Sequence, residues 1–142
     1  MVEPTRFYVA GHALIECQKK FLVTRRSKRT TYKPLKWDIP GGIVEAGETM
    51  EDAIAREVLE ETGLETEVGK IVFIYANRDQ LPVRQTFQAV YLCKIKNEGE
   101  IRLNPLEHDK YQWLSYGELE NLDLIDFLKA LVKSYLPATV TK

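Results

Sequence analysis

The alternation of apolar and polar positions predicts strands at the start of the chain and again past its middle, with helical periodicity in two places. Phe7–Cys17 reads as a strand, with Gly11 marking either a bulge or a close backbone approach. Gln18-Lys19-Lys20 is a polar turn, and Phe21–Thr24 returns as the second strand of a hairpin. Trp37-Asp38-Ile39-Pro40-Gly41-Gly42 is a short strand entering a tight turn, where Trp37 and Ile39 either join the core or flank a base. Glu65–Ala76 and Arg84–Ile95 read as long strands separated by a turn at Asn77–Pro82, and Asn97-Glu98-Gly99-Glu100 is a further turn. Leu103–Lys110 reads as a loop before a short strand, Tyr111–Leu114.

Between the strands, Met50 to Thr62 contains no Gly, Pro or long β-branched run and reads as a helix. Thr49 is its N-cap, Asp52 completes a capping signature, and Gly63 stands where a left-handed residue ends a helix. Ile54, Ala55, Val58 and Leu59 share an arc expected to face a core, and Glu57, Glu60 and Glu61 fill the neighbouring arc. Ser115, with Glu118 completing its capping box, starts a final helix. Its periodic positions are Leu119, Leu122, Ile125, Leu128, Leu131, Val132 and Tyr135, and Pro137 ends it. Strands, a helix, more strands and a last helix fit an α/β layered domain with a mixed sheet between helices.

Glutamates at i, i+3 and i+4 repel one another by a few tenths of a kcal/mol per pair, so a helix carries them at a cost. A hard divalent cation such as Mg²⁺ reverses that sign, because it takes carboxylate and carbonyl oxygens. A solvated acidic face is the competing reading, and the three residues alone do not decide between them. The surrounding spacing does. Gly42, Glu48, Arg56, Glu57, Val58, Glu60, Glu61, Gly63 and Leu64 fill every position of G-x5-E-x7-R-E-U-x-E-E-x-G-U, where U is bulky aliphatic. At ordinary residue usage, the fixed positions coincide by chance on the order of 10⁻⁹ times per window. The stretch resembles the Nudix box, the signature of the Nudix hydrolases, with no departure.

That resemblance implies an α/β/α sandwich and hydrolysis of a diphosphate linked to a group X, assisted by Mg²⁺ or Mn²⁺. It implies that Glu57, Glu60 and Glu61 carry the metal ions, with Glu57 the first choice for general base and the Gly42 carbonyl joining the metal shell. Gly41 and Gly42 let backbone approach a ligand closely. Arg56 is expected to hold Glu57 or Glu48 by a charge-assisted hydrogen bond. Glu48 either ligates metal or anchors the loop, with the support role favoured. Members similar to MutT add a carboxylate from a distant loop, some residues before a tryptophan of the last strand. Glu107, six positions before Trp113, is nominated as that extra ligand or base, against Glu98, Glu100 and Asp109 as solvated competitors. His108 reads as a surface or structural loop residue. Of the basic run Arg25-Arg26-Ser27-Lys28-Arg29, Arg25 and Arg26 at the strand end are the candidates to grip phosphate. By similarity to MutT-like enzymes Arg26 is the first choice and Arg25 the second. Lys28, Arg29, Lys33 and Lys36 read as solvated.

Composition narrows the setting. The 142 residues suit a single domain spanning 1–142, and 44% hydrophobic with 29% charged is ordinary for a globular chain. A net charge of −1 argues against nucleic acid or a membrane surface as the main partner. Cys17 and Cys93, without C-x-x-C spacing, read as small apolar strand residues in a reducing compartment. The apolar run Phe7–Ile15 is broken by His12 and is too short to span a bilayer. With no signal peptide legible, the expectation is cytoplasmic. Self-association stays open, homodimers being common in the family resembled.

The identity of X is the least legible feature. The MutT-like features favour a nucleoside triphosphate cut to monophosphate and pyrophosphate, with an oxidised purine such as 8-oxo-dGTP one candidate. Pro82, 18 residues past Leu64, loosely matches a proline of ADP-ribose hydrolases and keeps an NDP-sugar reading alive. Neither the added coenzyme A motif nor the SQPWPFPxS pattern of NADH-cleaving members is present. Isopentenyl diphosphate isomerase shares the fold, but needs a reactive cysteine that Cys17 and Cys93, on strands away from the box, do not offer. A non-catalytic sensor usually lacks box glutamates, and none is missing here.

Overall fold

The computed structural model describes residues 3–96 and 99–134. Its strands are β1 (Arg6–Cys17), β2 (Lys20–Arg26), β3 (Trp37–Asp38), β4 (Gly41–Ile43), β5 (Thr66–Asn77), β6 (Arg84–Ile95) and β7 (His108–Leu114). The helices are α1 (Met50–Thr62), α2 (Tyr116–Leu119) and α3 (Asp126–Ser134). The seven strands form one mixed sheet running β3-β2-β1-β6-β5, with β4 beside β1 and β7 beside β2. β1 and β6 are parallel from Arg6↔Arg84 to Ile15↔Cys93, which brings together residues nearly eighty positions apart.

Side-chain alternation along each strand divides the core into two layers. Ala13, Ile15, Leu22 and Cys93 face Ile54 and Val58 of α1, whereas Leu14, Phe21, Val23 and Val90 face Phe127, Leu128 and Leu131 of α3. The hairpin between β1 and β2 turns on Gln18 and Lys19, both at positive φ, as a two-residue turn requires to match strand twist. Gly11 makes a close approach without a bulge. A β-carbon there would lie 2.7 Å from Ile54 Cγ1 and 2.9 Å from Met50 Sδ, so the missing side chain is what lets α1 lie on β1. Helix α1 starts where Thr49 Oγ1 accepts a hydrogen bond from Asp52 N (3.1 Å), and ends at Gly63 in the left-handed region (φ 79°).

Three expectations are corrected. The final helix is broken: residues 120–125 are not α-helical because their backbone groups are spent on β3. Trp37 N donates to Asp123 O (2.9 Å) and Ile125 N donates to Trp37 O (2.9 Å), forming a parallel bridge between Trp37 and Leu124. Leu119, Leu124, Ile125, Leu128 and Leu131 are buried all the same. Second, β7 begins at His108 rather than Tyr111, because Arg26 pairs with His108 and continues the ladder across an irregularity next to Arg25. Third, the inward arc of α1 is rotated: Ala53, Ile54, Val58, Glu61 and Thr62 are buried, while Leu59 is 52% exposed. The turn residues Asn97 and Glu98, the helix position Tyr135 and the helix end at Pro137 lie outside the described residues. No helix among the described residues is long and apolar enough to cross a membrane.

Ile54→Ala should lower the free energy of unfolding by about 2–5 kcal/mol, through transfer and cavity terms together. Gly11→Ala should cost about 1–3 kcal/mol by overpacking the same contact. The double variant should cost less than the sum, because the truncated side chain makes room for the new methyl group. Urea unfolding of the three variants measures this, and strict additivity would contradict the contact.

Candidate active site

The β1–β4 pairing sets one edge of a cleft of about 480 Å³, whose lining includes Gly41, Gly42, Glu57, Glu61 and Glu107. A β-carbon on Gly42 would stand 2.6 Å from the Glu57 carboxylate, so only glycine allows that side chain to lie over the backbone. On Gly41 it would stand 2.3 Å from Gly11 O, which excludes any side chain between β4 and β1.

Arg56 ties the acidic end together. Its Nε and Nη2 donate to Glu48 Oε2 (2.7 Å) and Oε1 (3.0 Å), its Nη1 to Glu57 Oε1 (2.8 Å) and Glu60 Oε1 (3.4 Å), and Nη2 also to Ile43 O (3.3 Å). Glu48 Oε1 accepts from Glu45 N as well (2.9 Å), so both of its oxygens are occupied within the loop. The Arg56 guanidinium, and after it the Glu45 N–H, hold the Glu48 carboxyl down at about 2.

Glu61 is treated in the opposite way. It is 4% exposed, and Gly41 N is its one backbone donor, at 3.4 Å. Burial, then the adjoining Glu57 carboxyl and the negative charges of Asp38 and Glu107, push its carboxyl well above the ordinary range. Burial, followed by repulsion from Glu57 and Glu60, also raises Glu107. His108 sits against this cluster, with Nδ1 3.9 Å from Glu61 Oε1, buried and without a hydrogen-bond partner. It is 5% exposed and stands at the start of β7, so of the surface and structural readings the structural one fits and the loop placement does not. Its proton affinity is lowered, chiefly by burial.

The two candidate arginines separate, as adjacent strand residues must. Arg26 lines the cleft, with Nε donating to Tyr32 O (2.8 Å) and Nη1 to Asp38 Oδ2 (3.5 Å). Arg25 does not line it, and grips Asp109 through two bonds of 2.9 Å. Glu60 is 59% exposed at the side chain and does not line the cleft, and Gly63 serves only as the helix cap. Trp37 and Ile39 are both buried in the core. Cys17 and Cys93 are free thiols, one exposed and one buried, and neither lines the cleft. His12, which no motif marks, lines the cleft, packed at 4.4 Å between ring centroids on Phe127. The signal for it was a polar residue breaking an otherwise apolar strand run.

The donor set fits a hard divalent cation. Carboxylates crowd a buried carboxyl that holds its negative charge poorly, and Gly42 leaves the room that a side chain would fill. Among the described residues no three such side chains are already gathered as a finished shell, since Arg56 engages both Glu57 and Glu60.

A NUDIX domain family model matches residues 5–135. The chain belongs to the Nudix family. It is similar to an ADP-ribose pyrophosphatase of Methanocaldococcus jannaschii, 31% identical over 129 residues, covering 90% of this chain and 72% of that protein. A MutT-like protein of Streptomyces ambofaciens is 33% identical over 111 residues, covering 78% of this Nudix chain, which spans 64% of that protein's length. The crystal structure of a MutT protein from Methanosarcina mazei Go1 superposes with a TM-score of 0.80 at 27% identity, covering 93% of this chain and 94% of that one.

Glu48→Gln tests the Arg56 anchor. The folded carboxyl titrates near 2, below its ordinary value of 4.5, so its stabilisation is complete above about pH 4.5 and is lost as pH falls toward 2. The variant should therefore melt below the parent at pH 7, and the gap in Tm should narrow steadily below pH 4.5. A gap independent of pH would rule out the ion pair as its cause.

Proposed function

We propose that the chain hydrolyses a phosphoanhydride of a nucleoside triphosphate, releasing the monophosphate and pyrophosphate, with Mg²⁺ or Mn²⁺ as cofactor. The observation that carries this reading is the placement of Glu57 and Glu61 against the Gly42 and Gly41 backbone in a cleft that Glu107 also lines. Glu57, Glu60, Glu61, Glu107 and the Gly42 carbonyl would hold the cation. When bound, it supplies neutralisation of phosphate oxygens and a lowered pKa for water.

The chain's own residues then divide the work. Glu57 Oε1 is held by Arg56 Nη1, which fixes the carboxylate and leaves Oε2 to take a proton from the attacking water. Arg56, Glu48 and the Glu45 N–H position that carboxylate through the loop. Arg26, inside the cleft, is placed to meet phosphate oxygens, whereas Arg25 is committed to Asp109. Glu107, from the segment before β7, lines the same cleft and serves as an extra ligand or a second base.

A second reading, hydrolysis of ADP-ribose or another NDP-sugar, is supported by the name of the Methanocaldococcus relative. A non-catalytic nucleotide sensor is disfavoured, because every box glutamate is present.

Product masses from a panel of nucleoside triphosphates and NDP-sugars incubated with Mg²⁺ separate these readings. Monophosphate plus pyrophosphate from a triphosphate is expected, and turnover of NDP-sugars alone would reject it. Glu57→Gln should lower kcat at least a hundredfold with the fold retained. Near-normal turnover would remove Glu57 from the catalytic role. Glu107→Ala should shift the metal concentration needed for half-maximal rate, and an unaltered rate and metal dependence would exclude it.

A further inference from the structure

Sheet order separates two loops that nevertheless meet. β2 and β5 lie on either side of the β1–β6 pair, at least about 14 Å apart at ordinary strand spacing. Residues 27–36 leave the end of β2, and residues 78–83 leave the end of β5. Tyr32 Oη donates to Asp79 Oδ2 (2.8 Å) and accepts from Asn77 Nδ2 (2.9 Å), and Lys33 Nζ lies 3.6 Å from Asp79 Oδ2. Thr31 and Tyr32 line the cleft from the first loop and Gln80 from the second, with Ala10 of β1 and Thr86 of β6 on strands between them. The first loop is thus carried across the cleft.

That loop is held firmly at its base and lightly at its tip. At the base, Arg26 N donates to Lys36 O (2.9 Å) and Leu35 N to Arg26 O (2.8 Å), while Arg26 Nε steadies Tyr32 O (2.8 Å). At the tip, the Lys33–Asp79 pair has side chains 35% and 30% exposed, and an ion pair so placed contributes little. Within the loop, Lys33 (φ 49°) and Leu35 (φ 67°) both hold the left-handed conformation that such side chains rarely adopt. Strain of that kind persists only where neighbouring contacts offset it. A strained segment fastened by a weak contact lies close to balance between two positions.

We propose that residues 27–36 are a lid over the cleft, pivoting at Arg26 and latched by Tyr32 and Lys33 to Asp79, which opens for whatever enters and closes over it. Asn77 pairs with Thr86, and Ala89 pairs with Gly11, the partner of Gly42. The latch therefore stands three residues, about 10 Å, along β6 from the glycine that Glu57 overlies, and closes the part of the cleft beyond the glutamates. The device governs access and rests on no particular substrate.

Thiol labelling tests it with no nucleotide present. Thr86→Cys puts a thiol beside the latch, in a Cys17→Ser background where Cys93 is buried. The reagents are methyl methanethiosulfonate, which is small, and fluorescein maleimide, which is bulky, and thermal melting checks that each protein is folded. Tyr32→Phe keeps the ring and loses both latch bonds, and Asp79→Ala removes the acceptor and the ion pair. Each should speed maleimide labelling roughly threefold to tenfold. Labelling by the small reagent should change little, because it passes under the closed lid. Leu35→Asn, which suits left-handed backbone, should slow the maleimide by relieving the strain of the closed form. Maleimide labelling of the parent as fast as that by the small reagent, or a maleimide rate unaltered in both latch variants, would overturn the lid. Equal acceleration of the two reagents, or acceleration in Leu35→Asn, would overturn it as well, by showing general loosening instead.

Discussion

Negative charge packed around the Glu61 carboxyl is the constraint on which the active end depends. Burial and the neighbouring Glu57, Asp38 and Glu107 all disfavour its ionised form. Water cannot relieve that crowding where the side chain is 4% exposed. Arg56 relieves it partly, at the outer side, by taking one oxygen of Glu57 and both of Glu48. On the inner side Arg26 reaches Asp38 at 3.5 Å, while Glu61 itself has the Gly41 N–H at 3.4 Å and a histidine whose proton affinity is lowered. Such an arrangement favours the neutral form of the Glu61 carboxyl.

The acidic segment was legible in sequence because its information is short-range. Helix caps, the Glu57–Glu60–Glu61 spacing and the paired glycines all fall within two dozen consecutive residues. The two-sided helix layering followed from the order of elements. What escaped notice depends on pairings between distant segments. Periodicity puts Leu59 in the core arc and Glu61 on the neighbouring one, because it gives the width of a helix face and not the angle at which it docks. The contact of Gly11 with Ile54 sets that angle, and it joins residues from separate elements. The final helix read as continuous since its apolar period does persist. Its break comes from backbone bonds to Trp37, for which composition has no marker. His12 and Arg84 reach one cleft through the parallel register of β1 and β6, again invisible to local spacing.

The cleft is chemically polarised along the sheet. One end presents carboxylates and close-approach backbone, and the other a cation over an aromatic ring, with hydroxyl and amide side chains between them. Arg26, which also lines the cleft, is partly satisfied by Tyr32 and Asp38.

The backbone of Trp37 serves two masters: it pairs with Arg25 on one edge and clasps residues 123–125 on the other. The strand leading into the Gly41–Gly42 turn is thereby stitched to the segment that launches α3, whose Phe127 backs the His12 ring. Loosening of residues 123–125 would thus travel through a few amide groups to the floor of the cleft, so that segment acts as a buttress for residues more than eighty positions earlier.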